Sequence, residues 1–378
     1  MSGDGRKAVP FFVPGAACIQ AWLGHSLFAM KSRLTISMLG LLLLATSGCR
    51  STRGPGASGW ADAWRATNQV WRGVHLAAHT DEQAAALAEQ LPKLKAAGVN
   101  VVIVEVDYSF DFQSHPELRP ARYVTRAGAR QLVSVAHPLG IRLIPQINCL
   151  GHQSWSKSTG ELLRHYPQFD ETPGQFPDNE GIYCRSWCPQ NPKVNGVIFA
   201  LIDEIADAFE ADAFHVGMDE VFILASEHCS RCRGGDPARL FARAVNDLHA
   251  HIVGKRKLEM LLWGDRLLDA RPLGYSKWEA SMNGTAGAAD LIPKDIIVCD
   301  WHYGKQANYP SVDLLLGKGF RVWPSGWQPL EASKRFSAFA RAKSNERSLG
   351  YLCTTWGKVK IADLSTWPPL VEPLDLWR

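Results

Sequence analysis

From about residue 71 onward the chain repeats one rhythm: a short unbroken apolar run, then a longer stretch whose apolar residues recur every three or four positions. The short runs are "RGVHLAA" (72–78), "VNVVIVEV" (99–106), "IRLIPQIN" (141–148), "AFHVGMD" (213–219), "LEMLLWG" (258–264), "DIIVCDW" (295–301), "GFRVWPS" (319–325) and "GYLCTTW" (350–356). Short apolar runs rich in β-branched residues and bounded by Gly, Pro or Asp predict buried strands. Of the longer stretches, "DEQAAALAEQLPKLKAAG" predicts an amphipathic helix ending at Gly98, and "TRAGARQLVSVAHPLG" predicts the next. "KVNGVIFALIDEIADAFE" (193–210) and a segment from Pro237 to Val253 predict two more.

Continuous apolar strands joined by crossovers belong in a parallel sheet covered on both faces. Eight such units over residues 71–378 predict an α/β fold, a (β/α)8 TIM barrel in a single domain. A doubly wound open sheet competes with it, but no Gly-rich phosphate loop follows the first strand. At 46% hydrophobic and 21% charged residues the chain has a globular composition, with no repeat in the solenoid range.

The barrel makes a demand on the strand ends, because in this fold the chemistry sits where strands finish. Those ends carry Arg72 to His75, Asp107, Gly151–His152 with Trp155, Asp219–Glu220, Trp263 to Asp265, Asp300–Trp301, Trp323 to Trp327, and Trp356. A single Trp there is most simply packing between layers. Five at one end suggest a carbohydrate pocket, since the apolar faces of sugars stack on aromatic rings. A helix N-terminus accounts for one acid after "FHVGM", but not for two side by side.

The front of the chain reads differently. "MKSRLTISMLGLLLLATSGC" (30–49) has basic residues, a short apolar core and a small-residue site before Cys49, the layout of a bacterial export signal. Its end resembles a lipobox, with Thr46 where Leu is usual, so Cys49 is expected to be lipidated and to anchor an exported protein to a bacterial membrane. The apolar core from Leu34 to Ala45 is short for a bilayer span. Translation is expected to begin at Met30, leaving 1–29 as a mis-assigned extension, 30–48 as signal, and 49–70 as a flexible tether that includes "STRGPGASG". Of the formal net charge of +4, residues 1–48 carry +3 (Arg6, Lys7, Lys31 and Arg33 against Asp4), leaving +1 for the remainder. That balance gives no reason to expect a nucleic-acid partner.

Cysteines beyond the front end fall into two pairs, Cys184 with Cys188 and Cys229 with Cys232, and three in apolar runs, Cys149, Cys299 and Cys353. The pairs together offer four zinc ligands, or in an exported chain two disulfides. The last three are expected to be buried thiols.

"HVGMDEV" (215–221) resembles the H-x-G-G-D-E signature of family 20 glycoside hydrolases, the β-N-acetylhexosaminidases, with Met218 in place of the second Gly. "RGVHL", "DYSF" (107–110) and "IPQINCLGHQSW" (144–155) are similar to that family's first, second and third strand segments, and the likeness runs from about Arg72 to Trp356. The resemblance implies hydrolysis of terminal β-linked GlcNAc or GalNAc with the substrate's 2-acetamido group as nucleophile. It implies Glu220 as general acid and base, Asp219 as the group that orients the acetamide, and His215 as a support. Sugar contacts would come from Arg72, Asp107, His152, Trp263, Trp301, Tyr303, Trp327 and Trp356, with no metal in the catalytic site and no cofactor. The alternation of a strand is a further reason to expect Asp219 and Glu220 on opposite sides, poorly placed to flank one bond as an acid and nucleophile pair.

The chain departs from the family pattern at several places. Gln146 and Asn148 replace a Glu and an Asp of the third strand, Lys358 stands where a sugar-binding Glu is expected, and Trp327 lies nearest the seventh-strand Tyr. Tyr303 is the candidate for the missing hydroxyl. Too few residues lie between Cys49 and Trp71 for the family's customary N-terminal α/β domain. Competing readings are a glycosidase of another specificity, a non-catalytic glycan-binding barrel, and a metal-dependent hydrolase built on His75, His152, His215 and Asp219, which no H-E-x-x-H spacing supports.

Overall fold

The computed structural model describes residues 57–378; the signal, Cys49 and the first part of the tether lie outside the described residues. Eight parallel strands close into a barrel: β1 (Trp71–Ala77), β2 (Val101–Glu105), β3 (Arg142–Cys149), β4 (Ala213–Gly217), β5 (Glu259–Trp263), β6 (Ile297–Trp301), β7 (Arg321–Gly326) and β8 (Gly350–Thr354). Each strand neighbours the next in sequence, and β1 closes on β8 with Trp71 opposite Gly350 and His75 opposite Thr354. The pairing of β3 with β4 shifts register between Gln146 and Cys149, where the site begins.

Helices follow the strands as the pattern predicts: α2 (Asp81–Ala96), α3 (Arg126–Ala136), α4 (Val194–Ala208) and α5 (Pro237–His249), then α6 (Pro310–Gly317), α7 (Leu330–Ala342) and α8 (Pro368–Asp375). Local sequence explains their starts. Thr80 and Thr125 accept from the amides of Gln83 and Gly128, and Asp236 caps α5 ahead of Pro237. After β5 only short turns, including Ala270–Leu273 and Thr285–Asp290, fill the place of a helix.

Apolar residues from β2, β3, β5, β6 and β7 fill the barrel: Val101, Ile103, Ile144, Leu261, Trp263, Ile297 and Trp323 are all buried. Burial of each such side chain contributes roughly 1.5–3 kcal/mol. Trp323 explains Gly73, since a Cβ there would lie 2.2 Å from its indole. A separate and larger shell lies between the sheet and the helices.

The expected tether up to residue 70 is corrected by α1 (Ala57–Thr67), which covers the N-terminal end of the barrel. Trp60 stacks on His137 at 4.1 Å, Trp64 donates to the Gly140 carbonyl at 2.9 Å, and Trp64 meets Trp71 edge-on at 5.9 Å. Beneath them the buried Arg142 pairs with Asp212 at 2.7 Å and Glu259 at 2.6 Å. Burying the Trp60 and Trp64 indoles offsets the entropy of ordering this segment.

Candidate active site

Beyond Gly217 the chain leaves the strand through left-handed backbone. Gly217 has φ +65°, Met218 +73° and Glu220 +50°. A Cβ on Gly217 would meet Asn148 Oδ1 at 2.5 Å, so only glycine fits the first step. This twist corrects the expectation from strand alternation: Asp219 and Glu220 are past the pleat and reach the same imidazole. His152 Nε2 lies 3.2 Å from Asp219 Oδ2 and 3.4 Å from Glu220 Oε2. Asp107, His152 and Trp356, at three other strand ends, also have positive φ. Such non-glycine conformations cost on the order of 1–3 kcal/mol each and persist only where packing enforces them.

Asp265, beyond β5, supplies part of that enforcement. Its Oδ2 accepts the Glu220 amide at 2.9 Å and the Arg266 guanidinium at 2.7 Å, while Oδ1 accepts from the Trp301 indole at 3.3 Å. One buried carboxylate thus fixes the backbone of one site residue and the ring of another. Tyr183 hydrogen-bonds the Glu220 carboxylate from the loop after β3.

The charges are unevenly balanced. Burial, then the neighbouring charges of Asp219 and Asp265, push Glu220 up to about 7 against the opposing pull of His152. Asp107 is raised to about 7 by burial and by Glu105. Burial draws His152 down, but Asp219, Glu220 and Glu105 outweigh it and raise the imidazole to about 9. The site therefore holds a protonatable carboxyl beside a cation. Asp219 Oδ1 is buried without a hydrogen-bond partner, an open acceptor next to that acid.

Aromatic rings gather at the same strand ends. Trp301 stacks on Tyr303 at 4.8 Å, and Trp327 meets Tyr303 edge-on at 5.3 Å while its indole donates to the Thr355 carbonyl. Trp356 donates to the Tyr303 hydroxyl at 2.7 Å and is 37% exposed, which makes it a rim residue. Trp263 is fully buried among His75, His215 and Trp356. Trp155 belongs to a second aromatic group whose other members the strand ends do not announce: Tyr183 sits 4.8 Å from Trp278, 5.5 Å from Phe222 and 5.3 Å from the exposed Trp155.

Other expectations are corrected. Arg72 lies near the start of β1 and donates to the carbonyls of Gly98 and Trp377, so it braces the opposite end of the barrel and cannot hold a sugar. His215 touches neither acid. It accepts the Gly217 amide at 3.0 Å and packs against Trp263 at 4.6 Å, supporting the turn from which the acids emerge. The four residues of the metal-hydrolase reading do not assemble, because His75 pairs with Glu105 at 3.0 Å. Among the described residues at the site, His152, Asp219 and Glu220 are the ones that come within ligand distance of one another. Asn148 serves the site from below, donating its amide to Glu105 and its backbone N–H to Asp107. Lys358 is exposed. Asp265, Arg266 and Tyr183 went unnamed as site residues. An Asp directly after the strand-end "WG" was the available signal for the first, and nothing local marked Tyr183.

The family profile "Glycosyl hydrolase family 20, catalytic domain" matches residues 73–323. Lacto-N-biosidase of Bifidobacterium bifidum is 25% identical over 191 residues, covering 47% of this chain and 16% of that protein. Hexosaminidase D of Bos taurus is 24% identical over 270 residues, covering 70% and 69%. β-Hexosaminidase of Emericella nidulans is 25% identical, and the chain spans 39% of its length. Among solved structures, the chitobiase of Flavobacterium johnsoniae superposes with a TM-score of 0.61 at 19% identity, over 81% of this chain and 47% of that one. A profile that matches most of the barrel, on a fold shared with these structures, means that this chain belongs to glycosyl hydrolase family 20.

Proposed function

We propose that the chain removes terminal β-linked N-acetylhexosamine from glycans by substrate-assisted catalysis with retention of configuration. One observation carries this reading: the facing oxygens of Asp219 and Glu220 and the nitrogen of His152 all lie within 4.8 Å of one another. An acid and a nucleophile that flank a sugar must approach it from opposite faces. Two acids that share one imidazole meet the sugar from the same side, which supports the family's mechanism, with the substrate's own acetamide oxygen as nucleophile. Glu220 gives its proton to the glycosidic oxygen as the acetamide oxygen bonds to the anomeric carbon and the leaving alcohol departs. Asp219, through its unpartnered Oδ1, accepts the acetamide N–H and balances the positive oxazolinium ring. Water then attacks the anomeric carbon, giving its proton to the Glu220 carboxylate and reopening the ring. His152, raised to about 9 by the acids around it, is cationic at neutral pH and lies against both Asp219 and Glu220. Trp301, Trp356 and Trp327 wall the sugar.

A side-by-side assay of nitrophenyl β-GlcNAc, β-GalNAc and β-glucoside tests this. The two acetamido sugars should be cleaved and the glucoside left intact. Comparable cleavage of the glucoside would remove the acetamide from the mechanism and with it this reading. We propose also that the chain is exported and held to a bacterial membrane by lipid on Cys49, the "ATSGC" site being the support. Replacing Cys49 with Ser should move the protein from the membrane fraction to the soluble one, and an unchanged distribution would refute the anchor.

A further inference from the structure

Behind the active site, the loops that follow β3 and β4 meet at a second cluster. Cys188 Sγ lies 3.3 Å from Cys232 Sγ and 3.4 Å from Cys229 Sγ. A carboxylate oxygen of Glu171 joins the three sulfurs, all four ligand atoms lying within 4.8 Å of one another. All four residues are buried, with exposures between 0% and 3%. Cys184, the expected fourth member, is elsewhere: its thiol donates to the Glu220 carbonyl at 3.4 Å. Spacing alone pairs Cys184 with Cys188, but the thiol of Cys184 turns to the Glu220 carbonyl while that of Cys188 turns to Cys229 and Cys232.

Glu171 is the residue that calls for a cation. Its Oε1 accepts the Ser226 amide at 3.0 Å, while Oε2 is buried and, among the described residues, faces no donor other than the weak thiols of Cys188, Cys229 and Cys232. Among the described residues no Lys, Arg or His forms an ion pair with it, and an unpaired buried carboxylate is costly. Three thiolates and one carboxylate around a closed, dry point form a donor set suited to zinc. Zinc–sulfur bonds of about 2.3 Å in a tetrahedron put sulfurs about 3.8 Å apart, near the spacing seen here. Cys229 and Cys232 also sit in the C-x-x-C turn such ions favour, with the Cys232 and Arg233 amides both donating to the Cys229 carbonyl.

We propose that Glu171, Cys188, Cys229 and Cys232 hold a structural zinc ion that fastens the β3 and β4 loops together. Those loops carry His152, Tyr183, Asp219 and Glu220, so the ion would stand behind the site without touching substrate. It would also keep three adjacent thiols from oxidising in an exported protein, where a disulfide between two would strand the third.

The test is elemental analysis of the purified full chain, with thiol counting and thermal melting with and without a strong chelator. The expected result is about one zinc per chain, retained in Cys184→Ser and lost in Cys232→Ser, and a fall in melting temperature of roughly 10 °C on stripping. Should Cys232→Ser fail to fold, Glu171→Gln serves instead and should release zinc at lower chelator concentration than the parent. Re-addition of zinc to stripped parent protein should restore the melt. A folded, metal-free protein whose melt ignores the chelator would overturn the proposal, as would a Cys188–Cys232 or Cys188–Cys229 disulfide peptide found by mass spectrometry. Metal content is read without any glycoside, so this outcome is independent of the proposed reaction.

Discussion

The two ends of the barrel are built from the same materials and settle them in opposite ways. At the N-terminal end, Arg142 is fully buried, but Asp212 and Glu259 neutralise it and the Trp64 and Trp71 rings cover it at 5.3 and 4.9 Å. Arg65 and Arg321 close the network from outside. At the C-terminal end the acids outnumber the cations, so Glu220 and Asp107 are both raised to about 7. There the backbone is left-handed at Asp107, His152, Met218, Glu220 and Trp356, and Asp219 Oδ1 and the Trp263 indole N–H go unpartnered. Aromatic and charged residues therefore do not mark function by themselves. What separates the ends is the balance of charge. Carboxylates neutralise the buried guanidinium at the N-terminal end, where Arg142 Nη1 alone of its nitrogens lacks a hydrogen bond but faces the indoles. At the C-terminal end acids crowd one another and leave acceptors open for a substrate.

The contrast is broken most sharply at Glu220. Glu220→Gln removes the proton donor and should lower turnover on natural glycans by roughly 10²–10⁴-fold, with a smaller loss on substrates whose leaving groups need no proton. Equal losses on both substrate types would refute its role as acid. The same change should stabilise the fold. A carboxyl whose pKa is raised on folding costs nothing below its ordinary value near 4.5 and costs increasingly as pH climbs to about 7. At pH 8 the Gln variant should gain up to about 3 kcal/mol, read as a higher melting temperature that merges with the parent's near pH 4.

At the other end the effect reverses. Arg142→Met leaves Asp212 and Glu259 facing an apolar side chain, a loss of roughly 3–5 kcal/mol for a broken buried pair, softened here by Arg65 and Arg321. Denaturant unfolding should show that loss, while KM and the pH profile of the protein that remains folded stay as in the parent. A shifted pH profile would mean the two ends are coupled and would undo the division.

Much of the division was legible beforehand, and where it was not the reasons are physical. All eight strands lie within two residues of their apolar runs, because a strand buried on both faces has no polar alternation to blur it. The Asp219–Glu220 pair, His152 and the ring of tryptophans follow from the same pattern. Helix α1 was hidden by "STRGPGASG", whose Gly and Pro content reads as linker even though Trp60, Ala61 and Trp64 keep helical spacing just beyond it. Arg72 was assigned to the wrong end because a motif match says which strand a residue is on but not which end it faces. The meeting of Asp219 with Glu220 escaped the period-two rule because the chain has already left the strand at Gly217. Glu171 could not be found at all: the partner of three cysteines lies upstream of them with no spacing to announce it.

Asp219 sharpens the comparison on a smaller scale. Asp219→Asn keeps the shape but replaces a charged acceptor, and a hydrogen bond to a charged group is worth roughly 1.5–3 kcal/mol. Affinity for a thiazoline mimic of the cyclised intermediate should fall by about 10–100-fold, while affinity for the plain product sugar changes little. Parallel losses for both ligands would reduce Asp219 to a general binding residue. A covalent adduct on Asp219 from a 2-fluoro glycoside would make it the nucleophile instead.

The smallest expected effect concerns His152, which lies against both acids. Its cationic charge is one reason Glu220 stays near 7, because it opposes the burial, Asp219 and Asp265 that push that carboxyl upward. His152→Gln keeps a hydrogen-bonding side chain but removes the charge, so the Glu220 carboxyl should rise further. Activity needs that carboxyl protonated, and kcat/KM falls as pH climbs through its pKa, so the alkaline limb should move up by about one pH unit. Stability gives a second reading with its own sign. An imidazole raised from 6.5 to about 9 contributes stability that is fully present below 6.5 and disappears as pH rises through 9. The melting temperatures of parent and variant should therefore lie furthest apart near pH 6 and converge by pH 9.5. A limb that stays in place or moves to lower pH would show that the two carboxylates do not share His152 in solution, and the C-terminal end would then be balanced residue by residue as the N-terminal end is.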